Sequence, residues 1–138
     1  MERVEAGVVL DTDVLVANLR GKASLLRDLE GETLATTVVN AFELFHGAYK
    51  SKESVANISA TKGLLGSLGL LGLDVQAAER AGETLSRLQQ SGESIEIRDL
   101  LVGCIAMEKG YSVLTFNVRH FRRIPNLQVV DASKVARK

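Results

Sequence analysis

Three acidic residues stand at the edges of apolar segments, and they constrain what this chain can fold into more than any other feature. Asp11 closes the run Val8-Val9-Leu10. Glu43 lies inside Val38-Val39-Asn40-Ala41-Phe42-Glu43-Leu44-Phe45, and Asp99 opens Leu100-Leu101-Val102-Gly103-Cys104-Ile105-Ala106. A carboxylate beside a core is costly unless it is paired, hydrogen-bonded or bound to a metal. No neighbouring Lys or Arg offers itself to Asp11 or Glu43, so the fold is expected to gather the three acids at one point, around a cation. Mg²⁺ suits such a point, because it prefers carboxylate oxygens and leaves room for substrate phosphates.

The apolar pattern around these acids alternates between strand and helix signals. Residues 8–10, 33–36, 70–73, 113–115 and 127–130 read as five short strands. Between them, helical spacing covers 38–50 with Thr37 as N-cap, 53–65, 75–90, and 98–109 with Gly110 as the stop. Two shorter helical stretches follow Asp11 and end near Gly21 and Gly31. This alternation predicts an α/β domain with a central, mostly parallel five-stranded sheet flanked by helices. At 138 residues the chain is expected to form one domain, with its core at about 7–131.

Composition narrows the function classes. With 17 basic and 17 acidic residues the net charge is zero, so affinity for a polyanion has to come from a local patch. The single cysteine, Cys104, excludes an internal disulfide and a Cys-based zinc site, and its apolar neighbours give it a place in the core. Acids break every apolar run near the N-terminus, and the glycine-rich apolar segment 64–73 is too short to span a bilayer. A cytoplasmic protein with no membrane association is expected.

Each candidate site residue also has a plain structural reading. Asp11, Thr12 and Asp13 follow the first strand, where open α/β sheets bind ligands, but Asp or Thr there also caps a helix. Glu43 could be an ordinary helical glutamate. Its Glu-x-x-His spacing with His46 occurs once only, short of the paired motif of di-iron bundles, so His46 reads as a partly exposed polar residue. Asp99 could simply complement a helix dipole. Asn117, after the fourth strand, is either a turn residue or a further oxygen ligand. Arg119, His120, Arg122 and Arg123 form a basic loop that is either solvated or in contact with phosphates.

Four pieces in order give the combination its meaning: Val9-Leu10-Asp11-Thr12-Asp13; Thr37 with Glu43-Leu44-Phe45-His46-Gly47; Arg98-Asp99-Leu100 with Ile105-Ala106 and Gly110; and Leu114-Thr115-Phe116-Asn117 with His120-Phe121. With them the chain resembles the PIN domain, specifically the small VapC-type ribonucleases of toxin–antitoxin pairs. The resemblance implies a sheet order of three, two, one, four, five. It makes Asp11, Glu43 and Asp99 the carboxylates for Mg²⁺ or Mn²⁺, with Asn117 in place of the family's fourth acid. Thr12, Asp13 and Thr115 support the site, and Asp13 stands where Asn or Ser is common. It further implies an RNA substrate, an antitoxin partner and a homodimer. Arg119, Arg122 and Arg123 would hold the RNA backbone, while Lys134, Arg137 and Lys138 read as a basic tail.

Two rivals accompany this reading. The segment from Val8 to Leu15 also looks like the first motif of haloacid-dehalogenase-type phosphatases, with Asp11 as nucleophile. That family needs an acidic pair after the fourth strand, where this chain has Asn117. The other rival is a non-catalytic PIN-like module that binds RNA or protein.

Overall fold

The segment Gly7–Leu10 is covered on both faces, which explains its unbroken apolar character. In the computed structural model, which describes residues 6–21 and 24–135, it forms the central strand β1. Val8 and Leu10 pack into one layer with Val14, Leu15, Leu44 and Leu114. Val9 packs into the other with Val102, Ala106, Val113, Phe121 and Ile124. Strand side chains alternate between faces, so one strand feeds two cores.

The remaining elements follow as α1 (Thr12–Leu19), α2 (Ser24–Arg27), β2 (Leu34–Thr37), α3 (Val38–Tyr49), α4 (Ser54–Gly66), β3 (Gly69–Leu71) and α5 (Val75–Gln90). They continue with α6 (Ile97–Glu108), β4 (Tyr111–Thr115), α7 (Val118–Phe121), β5 (Val129–Asp131) and α8 (Ala132–Val135). The sheet order is β3-β2-β1-β4-β5. Every pairing is parallel rather than most of them. Since β1 pairs with both β2 and β4, the connections diverge on either side of it, and the crevice at its carboxyl end is where such sheets bind ligands.

The major elements lie close to the sequence expectation, with instructive shifts at the sheet edges. The fifth strand begins at Val129 rather than residue 127, because Asn126 adopts a left-handed conformation (φ 69°) and Leu127 packs into the core layer beneath. The expected basic loop after Asn117 contains the single-turn helix α7, anchored by the fully buried Phe121. Lys134 belongs to α8 rather than to a free tail; Arg137 and Lys138 lie outside the described residues. Among the described residues, no helix is long and apolar enough to cross a membrane.

Helix α6 is placed by its own composition. Its buried face includes Leu100, Val102, Cys104, Ile105 and Ala106, with Leu100 and Cys104 set against Ala81 of α5. A side chain at Gly103 would run into Ile124, so glycine there lets α6 lie close to that segment. Gly110, at φ 77°, ends the helix in the left-handed conformation that favours this residue. This seating fixes Asp99, in the first turn, at the carboxyl end of the sheet.

Candidate active site

Asp11 directly follows β1 and forms the N-cap of α1 through its backbone alone: its carbonyl accepts from the Val14 and Leu15 amides, both at 3.1 Å. Its side chain makes no cap bond and is 1% exposed. The carboxylate instead accepts from Thr115 Oγ1 at 2.8 Å, Asn40 Nδ2 at 3.1 Å and Arg98 Nη2 at 2.5 Å. The capping alternative is thus answered at the level of the side chain: the backbone caps, and the carboxylate faces the site.

Glu43 comes from the middle of α3 and accepts from Thr12 Oγ1 at 2.6 Å. The Arg98 Nε also reaches both of its oxygens, at 2.9 and 3.0 Å. Asp99 receives Arg98 Nη1 at 2.5 Å, with His120 Nδ1 at 3.6 Å. Asp11, Glu43 and Asp99, from three separate elements, therefore meet at one guanidinium. Asp11 and Glu43, which have no basic neighbour in the sequence, thus gain a basic partner from a distant segment. Arg98 lies 87 and 55 positions away from them in the chain, and only the seating of α6 beside β1 and α3 brings it in.

The electrostatics follow from that geometry. Burial works against the charge on Arg98, but bonds to Glu43, Asp11 and Asp99 outweigh it and hold the proton more firmly than usual. Burial likewise pushes the Glu43 pKa up, and the Arg98 and Thr12 bonds more than reverse this, leaving it below the ordinary glutamate value. Asp13 is the exception. Burial, then the neighbouring Asp11 charge, raise it to about 6 despite bonds from Phe116 N at 3.1 Å and Thr115 Oγ1 at 3.3 Å. Its other oxygen is buried without a hydrogen-bond partner among the described residues.

Asn40 and Arg98 are the site residues that sequence reasoning missed. Asn40 is fully buried; its Oδ1 closes a capping box with Thr37, while its Nδ2 donates to Asp11 and to Thr12 Oγ1 at 2.9 Å. A signal existed in the Thr-x-x-Asn spacing at a helix start. Asn117 sits exposed at the end of β4, its backbone NH donating to Thr115 Oγ1 at 3.0 Å. Among the described residues its amide side chain forms no hydrogen bond with the acidic cluster. Arg119 and Arg122 are exposed, whereas Arg123 is tied to Ser94 O at 2.7 Å. His46 is exposed and stacks on Phe42, away from a ligand role.

The donors suit a hard cation: carboxylate oxygens with supporting hydroxyls and an amide. In the arrangement seen, the carboxylates address the guanidinium, and no cluster of acids, His or Cys among the described residues is set for a metal ion. Two clefts flank the cluster. One of about 320 Å³ has Thr12 and Glu43 in its wall, and another of about 260 Å³ has Asp99, His120 and Arg123.

Comparison with known proteins narrows the readings of this cluster. The family model described as PIN domain matches residues 8–127. The chain belongs to the PIN domain family. Within it the chain stands among VapC proteins. It is 30% identical to Ribonuclease VapC2 of Rickettsia felis, over 86% of this chain and 92% of that one. It is 28% identical to the tRNA(fMet)-specific endonuclease VapC of Salmonella typhimurium, over 89% and 96%. The crystal structure of DNA-bound VapBC from Salmonella typhimurium superposes with a TM-score of 0.83 at 27% identity, covering 91% of this chain and 98% of that one. Membership of the PIN family sets the phosphatase alternative aside, in agreement with Asn117 where that alternative needs an acidic pair.

Proposed function

We propose that this PIN domain is an endoribonuclease dependent on Mg²⁺ or Mn²⁺ and the toxin of a toxin–antitoxin pair. The observation that carries the reading is the convergence of Asp11, Glu43 and Asp99 on one cation, Arg98, at the carboxyl end of the sheet. Asp11, Glu43 and Asp99 would hold the metal, with Asn117 at the rim in the place of a fourth ligand. The relatives support the activity, being named as ribonucleases and, in Salmonella typhimurium and Shigella flexneri, as tRNA(fMet)-specific endonucleases. Structural neighbours solved as VapBC support a protein antitoxin as partner.

A bound divalent ion supplies Lewis acidity and a water acidified toward neutral pH. The chain's residues do the rest. Asn40 and Thr115 fix the Asp11 carboxylate, Thr12 orients Glu43, and the first turn of α6 presents Asp99. Arg119 and Arg122 offer exposed charge to RNA phosphates, which the acidic cluster alone would repel. Arg123, held on Ser94 O, shapes the wall of the cleft beside Asp99 and contributes charge there.

A homodimer belongs to the same reading. Helices α4 and α5 are the faces that apolar content alone would favour, but Ala77, Ala81 and Leu88 of α5 are internal. The exposed apolar side chains include Val38, Phe42 and Tyr49 on α3, besides Val55 and Val75. Val38, Phe42 and Tyr49 fall on one face of α3 by their helical spacing, and a contiguous apolar face of this kind marks an association surface.

The test is incubation of the purified protein with end-labelled tRNA(fMet) and with an unstructured RNA, in Mn²⁺, Mg²⁺ or EDTA. Internal cuts that need the metal and vanish in Asp99→Asn are expected. RNA binding without any cleavage in either metal would establish the binding-module alternative instead.

A further inference from the structure

We infer that Arg98 is the resident counter-cation of this site, and that a divalent metal binds by displacing its guanidinium from Asp11 and Asp99; this rests on the metal-dependent reading above. Arg98 Nη2 and Nη1 lie 2.5 Å from Asp11 Oδ1 and Asp99 Oδ1. These two oxygens face one another across the guanidinium, and a divalent cation bridging the carboxylates through them would need each at about 2.1 Å. The guanidinium and the metal therefore exclude each other there, sterically and by like charge.

The burial gradient shows how the exchange can proceed. The Asp11 and Asp99 side chains are 1% and 5% exposed, whereas those of Arg98 and Glu43 are 24% and 31% exposed. Asp11 is fixed by Asn40 and Thr115, Asp99 is held by burial, and the outer pair borders solvent. Arg98 holds Glu43 through Nε and Nη2 together, a forked contact that can move outward as a unit. The arginine thus neutralises part of the cluster while no metal is bound, and it sets the affinity with which one enters. Arg98 is a positioning residue here, acting on the metal through the carboxylates.

Calorimetric titration of Mn²⁺ into the full chain and into Arg98→Gln and Arg98→Lys, without RNA, tests this. Arg98→Gln should bind Mn²⁺ at least tenfold more tightly than the parent, with Arg98→Lys between them. In the absence of metal Arg98→Gln should melt at a lower temperature, and its gain in Tm on adding Mn²⁺ should exceed the parent's. If Arg98→Gln does not fold, Mg²⁺ titration of the parent followed through the Arg98 Nε–H resonance decides the question. A resonance that shifts as the site fills supports displacement, and one that stays still overturns it. Tight uptake by Arg98→Gln alone supports the inference. Uptake by the parent with Arg98→Gln no tighter overturns the inference and leaves the metal reading standing. No uptake by any of the three removes both.

Discussion

Asp11 and Asp13 share one hydroxyl: Thr115 Oγ1 lies 2.8 Å from an oxygen of the first and 3.3 Å from an oxygen of the second. A hydroxyl has one hydrogen to give. The shorter contact serves Asp11, which also has Asn40 and Arg98, and leaves Asp13 the poorer of the two in donors. A neutral Asp13 could itself donate to the hydroxyl, which agrees with its raised pKa.

This relationship sets a pH dependence. Asp13 rises from 3.8 to about 6 on folding, so the folded protein binds this proton more tightly than the unfolded chain. The sign follows from linkage: stability from this group is greatest below pH 4, declines as pH rises through 6, and the cost is complete above it. Asp13→Asn keeps an acceptor for Phe116 N and removes the charge. It should stabilise the protein at pH 8 by on the order of 1–3 kcal/mol, with the advantage fading as pH falls from 6 toward 4. Thermal melts across pH in EDTA measure this; an equal advantage at pH 3.5 and pH 8 would contradict it.

Asn40 should matter twice. Asn40→Ala removes the capping-box acceptor and a donor to a buried carboxylate, each group left unsatisfied costing about 1–3 kcal/mol. Urea denaturation should show a loss of that order or more, and Mn²⁺ affinity should fall because Asp11 loses a positioning bond. An Asn40→Ala protein with unchanged stability and unchanged metal binding would remove Asn40 from the site.

The exposed arginines should act on RNA without acting on the metal. Replacing Arg119 and Arg122 with Ala should weaken RNA binding and lower the slope of log K against log salt by about 0.7 for each phosphate no longer neutralised. Mn²⁺ affinity should stay near that of the parent. Filter binding over a salt series decides it, and an unaltered slope would mean that these side chains touch no phosphate.

Phe42 tests the association surface. Its side chain is 69% exposed and stacks on His46 with ring centroids 6.2 Å apart. Sedimentation at micromolar concentration should show a dimer for the parent and a monomer for Phe42→Glu. A parent that sediments as a monomer would end the homodimer proposal.

Much of this architecture is legible in the sequence because its signals are local. Val8-Val9-Leu10 reads as a doubly covered strand, Thr37 as a cap, and Gly110 as a helix end from a few neighbours each. Asp11, Glu43 and Asp99 are conspicuous because charge beside apolar runs demands an explanation. Arg98 escaped for the opposite reason: next to Asp99 it looks like a neighbour's ordinary partner, and its reach to Asp11 exists only after α6 is seated. Asn40 looks like a polar residue on a helix until the fold closes around it. The edge strands shifted because their limits are set by pairing register and by the turn at Asn126, which apolar content alone does not encode.

Both borders of the sheet, Gly69–Leu71 and Val129–Asp131, are only three residues long. A border that short offers little unpaired backbone for another chain to extend, so the sheet is poorly suited to templating strand-by-strand growth. Copies of this protein that meet should therefore do so side chain to side chain across helices. That form of contact is reversible and sensitive to sequence, and a single charged substitution can dissolve it.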